Sequence, residues 1–278
     1  MQNFISSKYF KYILSLFFSA LILISCKDDS TTNPIGEAPQ LPPASTFKMD
    51  FDSFPASAIM PKTSTDSTNK SNWYWASFNG VVWQTLVTAG MAIPVAAFVE
   101  SFNHDPQQIE EGKWLWTYEF TPLGGIKHTA SLYGILSSEG VNWEMYITKE
   151  NVYSDFLWYT GESDLLATHG TWTLFFEPFN PTPWIEIEWE RNIQDSTANI
   201  KYTNIIPNAA DNGGYIYYGI TDDLDYDAFY EILNKAKENT ISIKWNRTSH
   251  EGRVMDPNHF GDEEWHCWDS IGNNVDCP

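Results

Sequence analysis

The chain has 278 residues, with 16 basic and 36 acidic side chains and a formal net charge of −20. This acidity argues against nucleic-acid binding, because the surface repels phosphate groups, and against electrostatic docking on anionic lipid. Aromatic residues make up 16% of the chain. Part of them must fill a core, and we expect the surplus to be available for stacking on a ligand.

The N-terminus has the parts of a secretion signal. Two lysines precede an apolar run over 12–24, which has 13 residues, fewer than the about 20 that span a membrane. The run ends in Leu-Ile-Ser-Cys at 23–26, which resembles the lipobox of bacterial lipoproteins. The resemblance implies that residues 1–25 are removed and that Cys26 is acylated, with palmitate-type chains. The alternatives are an ordinary signal peptide that contains a cysteine, or an uncleaved anchor.

Loss of Lys8 and Lys11 with this leader leaves 14 basic and 36 acidic residues, a formal charge of −22. The Lys-Asp-Asp-Ser segment at 27–30 is similar to the acidic export signal of surface lipoproteins in Bacteroidota-like bacteria, and the whole chain is similar to uncharacterised lipoproteins of that group. The similarity implies an anchor in the cell outer membrane, with the outward leaflet favoured over the periplasmic one. Several acyl chains suffice for anchoring, since each buried CH₂ contributes about 0.8 kcal/mol.

The mature chain is predicted to consist of a disordered tether over 26–70 and a single antiparallel β domain over 71–278. Ser, Thr, Pro, Asp and Asn dominate the tether, a composition that buries too little apolar surface to fold. An apolar patch over 47–59 is the one part of it that could dock on the domain.

The segment 72–103 is largely small, apolar and uncharged. This composition predicts a helix buried against a sheet, with a membrane-inserting or partner-binding helix as the alternative. From Lys113 onward, apolar and polar residues alternate, as in KWLWTYEF and ISIKWN. A period of two is typical of antiparallel strands with one packed face.

About ten such strands are predicted in meander order, interrupted by one late helix that begins at Asp225 or Asp227 and ends near Asn239. The predicted fold class is therefore mainly β, a strongly curved antiparallel sheet or barrel with the apolar helix in its concave face. The pattern is similar to that of the half-barrel carriers of lipids and lipoproteins in the bacterial envelope. This resemblance carries no functional residue across.

With Cys26 assigned to lipid, Cys267 and Cys277 remain in an exported, oxidising compartment, and we expect them to form a disulfide. No cofactor or metal is predicted. The alternative is a metal site, although the spacing fits no zinc pattern. Its ligands would be His259, Asp262, His266 and Cys267.

Glu186, Glu188 and Glu190 alternate with apolar residues and so share one face of a predicted strand. Their segment, EIEWE, resembles the strand of catalytic acids in a laminarinase-like family of retaining glycosidases. The resemblance implies Glu186 as nucleophile and Glu190 as acid/base, although Glu188 stands where that family has Asp. A solvated acidic face is the alternative.

The aromatic residues expected to stack on a ligand lie in two segments, DFLWYTG and GGYIYYG. They are Trp158 and Tyr159 in the first and Tyr215, Tyr217 and Tyr218 in the second. The leading hypothesis is a non-enzymatic, lipid-anchored envelope protein that binds an apolar or glycan ligand or a partner protein. A retaining glycoside hydrolase and a purely structural envelope component are the alternatives.

Overall fold

The computed structural model describes residues 36–48, 69–122, 125–176, 178–192 and 197–278. The predicted leader, Cys26 and the acidic segment after it lie outside the described residues, as does most of the predicted tether.

One antiparallel sheet of 14 strands dominates the fold, and each strand pairs with its neighbour in the chain. The strands are β1 (Gln107–Glu110), β2 (Lys113–Phe120), β3 (His128–Leu136), β4 (Val141–Lys149), β5 (Tyr153–Ser163), β6 (His169–Phe176), β7 (Thr182–Asn192), β8 (Thr197–Asn204), β9 (Tyr215–Ile220), β10 (Ala228–Asn234), β11 (Asn239–Trp245), β12 (Gly252–Met255), β13 (His266–Trp268) and β14 (Asn274–Val275). The helices are α1 (Ser71–Ser101) and α2 (Pro257–Phe260), with 3₁₀ turns at Ala44–Thr46 and Lys235–Lys237. A mainly β fold with one apolar helix is therefore confirmed.

The alternation of residue types places one face of each strand in the core. In β4, Val141, Trp143, Met145 and Ile147 are buried, whereas the residues between them are exposed or half-buried. The same alternation continues across the sheet, so one face is apolar and covered and the other is polar and open. We call these the inner and the outer face.

The prediction of a strongly curved sheet or barrel of about ten strands is wrong. The sheet has 14 strands, its first and last strands are its two edges, and it is neither closed nor strongly curled. Closure is one way to bury an apolar face, but here α1 and an N-terminal segment cover the inner face instead.

The predicted late helix between Asp225 and Asn239 is also absent. Its residues form β10 and a short 3₁₀ turn, and every residue of β10 pairs with β11. The segment AFYEILN places Ala228, Tyr230 and Ile232 on the buried side, a period-two pattern that helix-forming residues and a preceding Asp had obscured. No helix begins at Asp225 or Asp227. In the turn before β10, Asp223 accepts hydrogen bonds from the backbone N–H groups of Asp225 and Tyr226.

The helix α1 crosses the inner face, so that its first turns contact β12 to β14 and its last turns contact β2 and β3. A glycine permits one close approach: a Cβ at Gly90 would lie 2.2 Å from the indole of Trp184. Among the described residues, α1 is the one helix long and apolar enough to cross a membrane, judged by length and composition.

The N-terminal segment 36–48 packs into the core, although the sequence places it inside the predicted disordered tether. Phe47 is fully buried and stacks on Trp172 of β6, with ring centroids 4.4 Å apart. The Tyr202 hydroxyl donates to the Phe47 carbonyl at 3.0 Å, and the Trp172 indole donates to Thr46 Oγ1 at 3.2 Å. Docking by the apolar patch, which begins at Phe47, was expected, but the packing of the residues before it corrects the tether prediction.

The C-terminus is held by the predicted disulfide. Cys267 and Cys277 are bonded, with their Cα atoms 5.3 Å apart. The Asn72 amide of α1 donates to the Cys267 carbonyl at 3.0 Å. The disulfide therefore joins the C-terminal residues to β13, and β13 in turn is hydrogen-bonded to the first turn of α1.

Candidate ligand-binding groove

A groove of about 660 Å³ lies on the outer face, across β6 to β10. We call it the outer groove. It is lined by His169, Gly170, Thr171, Glu188, Trp189, Glu190, Asn199, Lys201, Tyr215, Tyr217 and Glu231.

Strand register aligns most of these side chains in rows. In one row Glu188 lies between Thr171 and Lys201. The row continues from Lys201 to Tyr217 and then to Glu231. Directly opposed residues have Cβ atoms about 4.5–5.5 Å apart, so five strands bring distant segments into one continuous surface.

Lys201 lies at the centre of the charged contacts. Its Nζ is 2.9 Å from Glu188 Oε2 and 5.0 Å from the centroid of the Tyr215 ring. The Tyr215 hydroxyl donates to Glu231 Oε1 at 2.5 Å. Lys201 and Tyr215 are therefore each oriented by groups on an adjacent strand.

Two tyrosines remain neutral donors well above physiological pH. Partial burial raises the pKa of Tyr215 to about 12, helped by its hydrogen bond to Glu231 and by the charge of that carboxylate. Partial burial also raises the pKa of Tyr217, and Glu190 and Glu231 add to the effect. The groove therefore presents phenol O–H groups beside carboxylates.

The Tyr217 ring is held by a neighbour that a glycine makes possible. Phe229 of β10 meets it edge to face, with ring centroids 5.2 Å apart. A Cβ on Gly219 would lie 2.2 Å from the Phe229 ring. Gly219 thus permits Phe229 to lie flat over β9 and to fix the orientation of Tyr217.

The charge of the groove is negative. Glu188, Glu190 and Glu231 contribute three carboxylates and Lys201 one cation. Carboxylates accept hydrogen bonds from hydroxyl and amine groups, the aromatic faces stack on apolar C–H surfaces, and an anionic ligand is repelled. The surface suits a hydroxyl-rich ligand without negative charge.

The structure separates the predicted aromatic candidates into two groups. Tyr215 and Tyr217 line the outer groove, whereas Tyr159 and Tyr218 are buried in the core. Trp158 is half-buried, and its ring meets Phe156 edge to face at 5.1 Å. Of the five candidates, Tyr215 and Tyr217 are therefore the two that line the outer groove.

The predicted acidic strand is β7, and its glutamates differ in position. Glu188 and Glu190 line the outer groove, but Glu186 does not. Glu186 pairs with Thr173 and Thr203, four residues from Glu190 along one strand. At about 3.3 Å per residue their Cα atoms are roughly 13 Å apart.

Sequence reasoning missed several lining residues on neighbouring strands, namely His169, Asn199, Lys201 and Glu231. Each lies at an outward position of its strand. Only the pairing register could have identified them, since it aligns Lys201 with Glu188 and Glu231 with Tyr217.

The alternative metal site is not assembled. Cys267 is in the disulfide, the ring of His259 stacks on Trp75 at 3.8 Å, and His266 Nε2 is 3.0 Å from Asp262 Oδ1. In the described part of the chain, no group of three or more His, Cys, Asp or Glu side chains is placed to hold a metal ion.

A second, more apolar cavity of about 440 Å³ lies between α1 and the sheet. Its walls include Val82, Leu86 and Val87 of the helix, and Trp184 and Ile232 of the sheet. It is separate from the outer groove because the inward-facing residues of the sheet line it.

No protein-family model, curated protein or solved structure matches this chain. The geometry of the two sites is therefore the basis on which a function is assigned.

Proposed function

We propose that the protein is a lipid-anchored component of the bacterial cell envelope whose outer groove binds a glycan. The lipobox-like segment before Cys26 supports the anchor. The observation that carries the ligand class is the row of Glu188, Lys201, Tyr217 and Glu231, which strand register fixes on one open face.

The chemistry of the groove favours sugars over apolar ligands. A sugar ring offers C–H faces for stacking and several hydroxyls, which need both donors and acceptors. Tyr217 provides a ring face and a phenol donor, and the carboxylates provide acceptors. The volume of about 660 Å³ lies in the range of about 300–1,000 Å³ typical of small-molecule sites.

The net negative charge narrows the ligand to neutral or amine-bearing glycans. A uronic acid or sulfate group would meet three carboxylates near one lysine. Binding to an array of neutral, amine-bearing and uronate oligosaccharides tests this, and we expect signal from the first two classes only. Preference for the uronates, or no binding to any class, would contradict the proposal.

Two variants and a matched control locate the site. Tyr217→Ala and Glu188→Gln are expected to weaken binding at least tenfold, because each removes a group in the central row. Glu186→Gln is the control, since it makes the same chemical change on the same face of β7 outside the groove. Equal losses in Glu188→Gln and Glu186→Gln would place the ligand elsewhere.

The anchor is tested separately in the native host. Mass spectrometry of the mature N-terminus is expected to find an acylated Cys26, and Cys26→Ala is expected to move the protein out of the membrane fraction. Proteolysis of intact cells then distinguishes the outward leaflet, which we favour, from the periplasmic one. A soluble, unmodified wild-type chain would contradict the anchor but not the groove.

A retaining glycosidase on β7 is the second candidate function. Glu188 and Glu190 of the groove are two residues apart on one face, about 7 Å between their Cα atoms, and retaining enzymes bring two carboxyl groups to about 5–5.5 Å. A reducing-sugar assay on any bound glycan tests it. Activity retained in Glu186→Gln excludes Glu186 as nucleophile, and activity abolished by Glu190→Gln alone supports a role for that residue.

The apolar cavity supports a further candidate, an apolar ligand held under α1. Its side chains are mostly hydrophobic, as expected for a site that takes an acyl chain. Mass spectrometry of organic extracts of the purified domain is the test. Lipid that co-purifies with wild type and is lost from Val87→Trp would support this candidate. If neither a glycan nor a lipid binds, a structural role is favoured.

A further inference from the structure

The side of α1 that faces away from the sheet is uncharged and largely apolar. Phe78, Val81, Val82 and Leu86 recur at helical spacing and are 58%, 45%, 39% and 57% exposed. Val82 and Leu86 lie at the flank of this side, so that they also line the apolar cavity. No charged residue occurs between Lys70 and Glu100. A helix on the surface of a soluble domain normally carries charges on its free side, so this surface is suited to an apolar partner.

The same surface ends in aromatic residues. Trp75 stacks on His259 at 3.8 Å and on Phe78 at 5.8 Å, and Tyr74 lines the same shallow hollow. The Trp75 indole donates to Asp256 at 2.8 Å, so its ring is fixed. Tryptophan and tyrosine are enriched where a protein meets the headgroup region of a bilayer.

The other side of α1 is occupied by the protein itself, which argues for lying on a membrane instead of crossing it. Val87, Met91, Ala97 and Phe98 are buried in the core. A helix of 31 residues is about 46 Å long, and packing along the sheet leaves only one side free. That arrangement is typical of a helix in the plane of the interface.

Few residues of sequence separate the packed N-terminal segment from Cys26. Pro39 is already buried against the sheet, 13 residues after Cys26. Thirteen residues extend at most about 47 Å. A short tether raises the effective concentration of the domain at the membrane, which adds to a contact that the helix face makes on its own.

We propose that the outward side of α1, defined by Phe78, Val81, Val82 and Leu86, lies on the lipid surface of the membrane that holds the Cys26 anchor. The proposal rests on the lipid anchor proposed above. The outer groove is on the opposite face of the sheet, so this orientation directs it away from the lipid. Since the helix face carries no charge, zwitterionic lipid suffices for the contact.

The experiment uses residues 27–278 without the leader and without Cys26, so that no acyl chain contributes. This chain contains the whole compact unit 34–278 and so all of the described core. The probe is a phosphatidylcholine vesicle in a flotation assay. We expect the wild type to float, and we expect Phe78→Glu, at a position outside the apolar cavity, to lose at least tenfold in partitioning. Leu224→Glu, which changes a leucine that is 91% exposed in a loop, should float like wild type.

Two single-cysteine labels test the orientation directly. With Cys267 and Cys277 in the disulfide, a polarity-sensitive dye can be attached at Thr85→Cys on α1 or at Thr171→Cys in the groove; both positions are exposed. We expect vesicles to blue-shift the emission from position 85 and to leave that from position 171 unchanged.

Other outcomes would overturn the orientation. These are flotation that is absent in wild type or insensitive to Phe78→Glu, and equal shifts from both labels. A dimer in light scattering that Phe78→Glu dissociates would also overturn it, since the face would then be assigned to a second copy. Because the chain lacks Cys26, these results are independent of whether the native cysteine is acylated.

Discussion

The two faces of strands β6 to β10 are made from alternate residues of the same segments, yet they have opposite properties. On the inner face, Trp172, Ile187 and Tyr202 are fully buried. On the outer face, their neighbours Thr171, Glu188 and Lys201 line an open groove. One register therefore fixes a core and a recognition surface at once, and a change on one face can be made without altering the other.

The inner face depends on cover from outside the sheet. The helix α1 and Phe47 bury it, and the aromatic cluster of Phe47, Phe98 and Trp172 joins all three parts of the fold. The outer face needs no cover because its polar groups pair with one another across strands or meet water. The stability of the fold should therefore be concentrated on the inner side.

The largest expected effect tests that asymmetry at adjacent positions of β6. Trp172→Ala removes a fully buried indole, its stacking on Phe47 and its hydrogen bond to Thr46. We expect a loss of about 4 kcal/mol in the free energy of unfolding. Thr171→Ala, one residue away on the outer face, should change it by less than about 0.5 kcal/mol. Urea denaturation measures both, and comparable losses would break the proposed division between the faces.

The disulfide gives the next largest effect, at the end of the sheet. A double Cys267→Ser, Cys277→Ser variant should lose about 3 kcal/mol, because the unfolded chain is no longer constrained by the loop between them. The short strand β14, which pairs only with β13, should then become accessible to exopeptidases. Denaturant midpoints with and without reductant check this in the wild type, and a midpoint that reductant leaves unchanged would count against it.

Much of this comparison was predictable from sequence. Alternation in segments such as ISIKWN assigned inward and outward residues correctly, because one packed face imposes a period of two. The apolar, uncharged composition of 72–103 predicted α1, and cysteine counting predicted the disulfide. Local composition was sufficient wherever burial alone decided the structure.

Other features depended on long-range pairing and were missed. Alternation does not show whether a sheet closes, so the barrel prediction was wrong. The segment AFYEILN has the composition of a helix, and only its pairing with β11 identifies it as a strand. Residues 36–46, which pack together with Phe47, have the average composition of a tether, so their packing was not predicted. The groove combines residues from five strands, and no single segment contains enough of it to reveal the site.

A smaller effect concerns pH on the outer face. Because the pKa of Tyr215 is raised from its ordinary 10 to about 12, the folded state holds that proton more tightly than the unfolded chain does. Its contribution to stability is present below about pH 10 and is lost as the pH rises through about 12. Urea midpoints should fall less steeply over this interval in Tyr215→Phe than in wild type. Identical slopes would show that the contact with Glu231 does not persist in solution.

The smallest expected effect separates recognition from stability most sharply. Both side chains of the Lys201–Glu188 ion pair are partly exposed. Lys201→Met should therefore change the free energy of unfolding by less than about 1 kcal/mol. Loss of the cation leaves three carboxylates unopposed in the outer groove, so binding of an amine-bearing glycan should strengthen relative to that of a neutral one. Calorimetric titration of the variant with both ligand classes, alongside urea unfolding, measures the two quantities independently. A large loss of stability with unchanged ligand preference would mean that Lys201 supports the sheet and not the site.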